Sequence, residues 1–201
     1  MNGRVHRVGE PGIGVSIDAD DAQVFGDLAQ QFKLDALRPL APREGEVHGL
    51  VALMEIQASR LGARTGPGGE PILLLDQNRA RWDRLLIRRG LAALERAEAL
   101  GGADGAYALQ AAIAACHARA TRADATDWPR IVALYDALAR QHPSPVVELN
   151  RAVAISMASG AEAGLSAVDA LSGERALRDY HLLPSVRGEL LRRLDRHAEA
   201  R

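Results

Sequence analysis

Apolar residues recur along most of this chain with the three-and-four spacing of amphipathic helices, which predicts an all-α fold. The clearest stripe runs over residues 47–61, and a second apolar face through Leu53 and Ile56 predicts a central helix that ends at Gly62. The same spacing predicts further helices over residues 81–100, 109–116, 131–138, 146–157, 165–171 and 186–194.

Cap and turn residues separate these stripes. Asp127 and Pro129 mark one helix start, because Asp accepts hydrogen bonds from unpaired amides and Pro suits the first turn. Ser144 and Pro145 mark another start, and the pair Gly101–Gly102 marks a helix end.

The N-terminal part of the chain gives weaker signals. Residues 1–20 are rich in glycine and predict a poorly structured tail, with a short strand near 13–17. Residues 21–37 predict a moderately amphipathic helix. The short apolar run 71–75 is either a strand or a loop that lands on the core.

An internal repeat organises the rest of the chain. Residues 149–154 resemble residues 109–114, and the two stretches lie 40 positions apart. Helix pairs at such a spacing are typical of tetratricopeptide units, which stack as antiparallel hairpins into a right-handed superhelix, an α-solenoid. We therefore predict two parts: a tail with an amphipathic helix of unknown role, 1–36, and a tetratricopeptide-like repeat domain, 37–201.

Composition agrees with close-packed helices. Apolar residues make up 47% of the chain, but aromatic residues only 3%, so Leu, Ala, Val and Ile must build the core. The net charge is −1, and arginines alternate with acids over 84–98 and 189–199. Solvated helix faces explain this alternation better than a nucleic-acid surface, which needs clustered positive charge.

Other features predict a cytoplasmic protein. The runs of apolar residues are far shorter than a membrane span, which argues against a membrane partner. The first 14 residues lack the apolar centre of a signal peptide.

Catalytic and metal-binding patterns are missing from the sequence. Cys116 and His117 are neighbours on a helix, so their side chains diverge by about 100°. Cys116 lies on the apolar stripe, and we expect the loss of the His117 imidazole to cost little stability. No histidine pair has metal-ligand spacing, and no phosphate-binding glycine loop is found. We expect no catalytic residues, no metal and no cofactor.

Two pairs of residues are candidates for contacts with a protein partner. Arg79 and Trp82 are types that dominate interfaces, but a structural interpretation is favoured, in which Asp76 caps the next helix and Trp82 anchors the loop. Asn150 and Arg151 lie in the first helix of a repeat, which lines the concave groove in such folds. There they either grip a partner's carboxylate or backbone, or satisfy loop carbonyls and solvent.

Five stretches together resemble one protein family, the C-terminal tetratricopeptide-like extension of a group of bacterial extracytoplasmic-function sigma factors. The resemblance covers roughly residues 37–201. The stretches are 46–54 (EVHGLVALM), 74–83 (LLDQNRARWD), 107–118 (YALQAAIAACHA), 143–154 (PSPVVELNRAVA) and 180–188 (YHLLPSVRG).

The resemblance implies a regulatory, protein-contacting role in transcription initiation. Residues 1–36 are too short for the promoter-reading domains of that family and do not resemble them, so no direct nucleic-acid binding is expected. The expected partner is an RNA polymerase-associated or regulatory protein, or a second copy that covers apolar residues at the C-terminal repeat end. The alternative is a stand-alone helical enzyme or ligand-binding protein whose site forms only in three dimensions.

Overall fold

The structure is a computed structural model that describes residues 42–200. Within this range the chain forms only helices, turns and one isolated bridge between Thr65 and Pro71, which confirms the all-α prediction. The helices are α1 (Gly45–Ala58), α2 (Arg84–Ala99), α3 (Ala106–Arg119), α4 (Trp128–Gln141), α5 (Pro145–Ser159), α6 (Ala161–Asp169) and α7 (Leu182–Arg193). The strand predicted near 13–17 and the helix predicted over 21–37 lie outside the described residues. None of the helices within 42–200 is long and apolar enough to cross a bilayer.

Helix α1 is the central element of the N-terminal half, as its two apolar faces predict. It packs against both α2 and α3, and the residues from Val51 to Gln57 are buried. Gly49 makes the close approach to α3 possible, because a Cβ there would lie 2.7 Å from the amide nitrogen of Ala108. The backbones of α1 and α3 therefore touch without an intervening side chain.

From α3 onward, each helix packs mainly against its neighbours in the sequence. Contacts join α3 to α4, α4 to α5, α5 to α6 and α6 to α7. Short connections force each helix back along the previous one, and a single residue, Gly160 (φ 97°), joins α5 to α6. This sequential packing is the arrangement expected for stacked helix hairpins.

The core forms three adjoining clusters that follow this order. The first joins α1, α2 and α3, the second joins α3, α4 and part of α5, and the third joins α5, α6 and α7. Representative members are Leu53, Ile56 and Leu94 in the first cluster, Ile131, Leu134 and Tyr135 in the second, and Val153, Val168 and Leu190 in the third.

The helix starts agree with the sequence signals at Asp127 but not at Asp76. The Asp127 carboxylate accepts from the Arg130 amide at 3.0 Å. The cap of α2 is Asp83, whose Oδ1 accepts from the amides of Leu85 and Leu86 at 2.8 and 3.1 Å. Asp76 is therefore not the cap of this helix, because a loop and the 3₁₀ turn Arg79–Arg81 separate it from the first helical residue.

Helix α1 ends earlier than its apolar stripe predicts. It stops at Ala58, where the Ser59 hydroxyl donates to the Ile56 carbonyl oxygen at 2.6 Å, and a 3₁₀ turn Leu61–Ala63 follows. Leu61, expected on the buried stripe, is the first residue of this turn and is 39% exposed, whereas Arg60, which precedes the turn, is 9% exposed.

The C-terminal end of the stack is covered better than the sequence predicts. Leu190 and Leu191 of α7 are fully buried against α5 and α6, and Val186 and Leu194 are half-buried. Self-association through this end of the stack stays a prediction.

Candidate functional site

Three arginines gather near the C-terminal end of α1 and the 3₁₀ turn before α2. Arg60 and Arg79 approach the same indole ring, with their guanidinium carbons 5.9 and 4.9 Å from the centroid of the Trp82 ring. Trp82 is 3% exposed, so these cation–π contacts are shielded from water. We call Arg60, Arg64 and Arg79 the arginine cluster.

Gln57, in the last turn of α1, holds two of these arginines. Its side-chain oxygen accepts hydrogen bonds from Nη2 of Arg64, at 2.9 Å, and from Nη2 of Arg60. Arg64 Nη2 also donates to the Gln57 backbone oxygen at 3.2 Å. Two cationic groups thus converge on one neutral oxygen, which brings like charges close together without neutralising them.

Arg79 links the loop before α2 to the end of α3. Its Nη1 donates to the carbonyl oxygens of His117 and Ala120, at 2.5 and 2.9 Å, and its Nη2 donates to the Thr126 hydroxyl at 3.3 Å. The last carbonyls of a helix have no partner within the helix. Arg79 therefore caps the C-terminus of α3 from another part of the chain.

His117 is buried, contrary to the expectation that it lies off the core. It is 4% exposed, and its ring packs edge-on against Trp128, with the centroids 5.2 Å apart. Burial, followed by the positive charges of Arg60 and Arg79, lowers the pKa of His117 to about 3. The imidazole is neutral at physiological pH and fills space between the arginine cluster and α4.

The positive charge of the cluster is not balanced by the described residues. Burial, Arg64 and Arg79 lower the pKa of Arg60 to about 9. A guanidinium stays protonated at neutral pH, so the direction of this shift indicates that burial and the neighbouring arginines disfavour the charge. The carboxylate that acts on Arg79 is Asp124, which is exposed and already paired with Arg122 at 2.6 Å. Within residues 42–200, no carboxylate forms an ion pair with any of the three arginines.

Several buried polar atoms in and beside the cluster have no hydrogen-bond partner among the described residues. They are Arg60 Nε and Arg79 Nε in the cluster, and Trp82 Nε1 and His117 Nδ1 beside it. A buried polar atom without a partner costs about 1–3 kcal/mol. Chemically, the cluster is suited to bind an anion such as a carboxylate, because guanidinium groups make paired, charge-assisted hydrogen bonds to it.

The structure places the candidate residues Arg79 and Trp82 inside the protein. They are 6% and 3% exposed, so neither side chain forms a surface patch of its own. The structural interpretation, in which Trp82 anchors the loop, agrees with its position in the core formed by α1, α2 and α3.

Asn150 and Arg151 both lie half-buried on α5, away from the arginine cluster. Arg151 Nε donates to the Asp136 carboxylate on α4 at 2.5 Å, and its Nη1 lies 3.4 Å from Glu148. Both carboxylates raise the pKa of Arg151, and the hydrogen bond to Asp136 has the larger effect. Arg151 thus links α4 to α5, and a role for it or for Asn150 in partner binding stays a prediction.

Sequence reasoning missed Arg60, Arg64, Gln57 and His117. The sequence does give a signal for Gln57 and Arg60. They follow buried Met54 at intervals of three residues and so lie along one side of helix α1 and the turn that follows it. The apolar stripe marks buried positions by their hydrophobic members, so it gives no reason to expect a buried arginine on this side.

Metal and thiol chemistry find no support in the described residues. No group of three or more His, Cys, Asp or Glu side chains within 42–200 is arranged to hold a metal ion. The Cys116 thiol is buried, and burial together with Asp127 raises its pKa, so the reactive thiolate is disfavoured.

Comparison with known proteins finds two similarities, one to a family model and one to a bacterial protein. Residues 23–98 match the family described as a family of unknown function, DUF6596. A protein of Rhizobium meliloti (strain 1021), described as uncharacterized, is 49% identical over 162 residues. The alignment covers 81% of this chain but 38% of that relative, so the chain spans well under half of its length. No solved structure matches this chain.

Proposed function

We propose that this chain is a non-catalytic protein-interaction module that regulates transcription initiation, related to the C-terminal extension of extracytoplasmic-function sigma factors. The observation that carries the proposal is the resemblance of five separate stretches, spread over residues 37–201, to that extension. One stretch alone would be weak support, but the combination is specific.

The sequential helix packing supports an interaction role. In a stack where each helix contacts its neighbours, the core is thin and the surface is long and curved. Such surfaces bind proteins by shape and by a few anchoring side chains. The half-buried Asn150 and Arg151 on α5 are the proposed anchors, since an amide and a guanidinium recognise carboxylates and backbone groups.

The length of the Rhizobium relative is compatible with a module that works beside other domains. The aligned region is 38% of that protein, which leaves space in it for further domains. We propose an RNA polymerase-associated protein as the partner, without direct DNA binding by this chain.

The test is binding of the full chain to purified bacterial core RNA polymerase and holoenzyme, measured by isothermal titration calorimetry. We expect saturable binding that Arg151→Ala weakens at least tenfold while the unfolding temperature changes little. Arg140→Ala is the matched control, because Arg140 is exposed on the neighbouring helix α4.

Absence of binding to both forms of the polymerase would contradict the proposal. A small molecule that raises the unfolding temperature, together with that absence, would instead favour the alternative of a helical ligand-binding protein. Tight binding to promoter DNA at about 0.2 M salt, where nonspecific phosphate contacts are weak, would also count against it.

A further inference from the structure

The outward face of helix α2 carries two arginines that the fold does not use. Arg84 and Arg88 are exposed, and neither forms an ion pair among residues 42–200. Arg89 on the same helix differs from them, since its Nη2 lies 2.9 Å from the buried Glu55 carboxylate. The first half of α2 therefore presents positive charge to the solvent that no described carboxylate neutralises.

These two arginines do not stabilise the helix on which they lie. Arg84 is the first residue of α2, where the positive end of the helix dipole disfavours a cation. Helices α1, α5 and α6 carry a glutamate in the first turn, whereas the first turn of α2 has no acidic residue. Residues 84–94 contain three arginines and no acid, so α2 supplies Arg88 with no opposite charge within one turn. Helix stability therefore does not explain these side chains.

An apolar side chain lies between the two arginines. Leu85 is 54% exposed, more than the other large apolar side chains that are exposed within the described part of the chain. Successive helical residues are about 100° apart, so Arg84, Leu85 and Arg88 share one sector of about 100°. Ala92, seven residues after Leu85, continues this face with a single exposed methyl group. The face thus combines two cations with an accessible apolar strip, and the buried arginine cluster is not part of it.

The spacing of the two arginines indicates what they can recognise. Arg84 and Arg88 are separated by about 6 Å along the helix axis, which is close to one helical turn. Each guanidinium can form paired, charge-assisted hydrogen bonds to a carboxylate. Leu85 favours an apolar residue beside those carboxylates. A helical segment with Asp or Glu one turn apart, next to a residue such as leucine, meets both requirements.

Nucleic acid and lipid fit this face less well. Nucleic-acid binding draws its affinity from many phosphate contacts, whereas this face offers two arginines with a leucine between them. A helix that lies in a membrane surface inserts its apolar side. The apolar side of α2, which includes Ile87 and Leu94, is buried in the core with α1 and α3. A protein segment is therefore the occupant that the surface favours.

We propose that the face of α2 formed by Arg84, Leu85 and Arg88 docks an acidic amphipathic helix of a partner protein. The two guanidinium groups pair with carboxylates one turn apart, and Leu85 contacts an apolar residue between them. Charge complementarity of this kind speeds association and selects the partner, and salt weakens it. The inference goes beyond the proposed function and does not depend on it, because that function uses a different surface on α5.

The first test uses a synthetic peptide as the partner helix. A fluorescein-labelled helical peptide of glutamate and leucine, with glutamates one turn apart, is titrated with the full chain and followed by fluorescence anisotropy. We expect saturable binding that R84Q/R88Q weakens about tenfold or more and Leu85→Ser about threefold or more. R130Q/R140Q is the matched control, because it removes the same charge from exposed positions on α4.

Three results of this titration would overturn the proposal. The first is no saturable binding by the parent chain below about 1 mM. The second is equal weakening by R84Q/R88Q and R130Q/R140Q, which would show a general attraction to positive charge. The third is unchanged binding by Leu85→Ser, which would remove the apolar contact.

Charge reversal separates docking from folding. R84E/R88E should lose the glutamate peptide and bind the otherwise identical lysine peptide, which the parent chain should not bind. Glutamates at the start of α2 suit the helix dipole, so this variant should unfold at the same temperature as the parent or higher. A variant that keeps its unfolding temperature and binds neither peptide would contradict the proposed pairing.

Duplex DNA and anionic vesicles test the other occupants. Neither a duplex oligonucleotide nor a phosphatidylserine vesicle should compete with the glutamate peptide at about 0.15 M salt, where weak phosphate contacts are screened. Competition by either one that depends on Arg84 and Arg88 would mean that the face binds phosphate groups. The proposal of a protein helix would then be wrong.

Discussion

The Arg79 guanidinium donates to the carbonyl oxygen of His117 across 38 positions of the chain, at an N–O distance of 2.5 Å. The same nitrogen reaches the Ala120 carbonyl oxygen, so a residue of the loop before α2 caps the end of α3. Because the loop and the helix end are bound to each other, Arg79 and Trp82 are held in the core although much of the segment between α1 and α2 is exposed.

Loss of the Arg79 guanidinium should destabilise the protein strongly. Arg79→Gln removes hydrogen bonds to two carbonyl oxygens and to Thr126, and leaves buried acceptors without partners. We expect a loss of about 2–4 kcal/mol in the free energy of unfolding, measured by urea denaturation. Arg81→Gln, an exposed arginine in the same 3₁₀ turn, should change it by less than about 0.5 kcal/mol. Equal effects of the two substitutions would show that the hydrogen bonds of Arg79 contribute nothing specific.

His117 should make stability depend on pH in the acid range. Its folded pKa, about 3, lies below the unfolded value of 6.5, so the unfolded chain takes up the proton first. The stabilisation from the neutral ring is complete above pH 6.5 and is lost as the pH falls toward 3. Between pH 6 and 4, this residue should contribute a slope of about 1 kcal/mol per pH unit.

The measurement is denaturant unfolding at several pH values for the parent, His117→Gln and His142→Gln. The His117 variant should lack that part of the slope, whatever its stability at neutral pH. His142 is exposed and serves as the control, whose variant should follow the parent. A parent and a His117 variant with parallel profiles would mean that the pKa of His117 is the same in the folded and unfolded states, which would contradict the prediction.

The sequence predicts the helices well because periodicity and caps are local properties. Asp127 caps α4, Gly101 has a positive φ of 76° after α2, and α5 starts at Pro145 as expected. The one capping error, Asp76 in place of Asp83, arose because two carboxylates flank the same loop. Only the 3₁₀ turn between them decides which one meets the helix.

The candidate site was much harder to predict because it depends on contacts between distant segments. Arg79 meets His117 and Thr126 only after α1, α2 and α3 have packed together. An apolar stripe identifies the buried side of a helix by its hydrophobic members. It gives no information about a histidine or an arginine that is buried beside them, as Arg60 is.

Backbone contact between α1 and α3 gives a prediction with an internal control. Alanine normally favours a helix over glycine by about 1 kcal/mol. At Gly49, however, the new Cβ would lie 2.7 and 3.0 Å from the backbone nitrogen and Cα of Ala108, which can yield only if the helices separate. We expect Gly49→Ala to lower the free energy of unfolding by about 1–3 kcal/mol.

Gly188→Ala is the matched control in α7. A Cβ there meets a single atom, the Ala200 carbonyl oxygen at 3.9 Å, so the substitution should be neutral or stabilise by up to about 1 kcal/mol. Thermal unfolding of the two variants compares the effects directly. A stabilising Gly49→Ala would mean that α1 and α3 are farther apart than described.

Sequential packing predicts that the two ends of the stack can be destabilised separately. Leu190 is fully buried in the cluster of α5, α6 and α7, and Leu53 is 1% exposed in the cluster of α1, α2 and α3. Either change to Ala removes a buried side chain and should cost about 2–5 kcal/mol.

In a stack stabilised by contacts between neighbouring helices, that loss of stability falls first on the helices next to the substitution. Native-state hydrogen exchange should therefore show faster exchange in α6 and α7 for Leu190→Ala, while the amides of α1 stay protected. Leu53→Ala should give the opposite pattern, and uniform acceleration along the whole chain in both variants would show that residues 42–200 unfold as one cooperative unit.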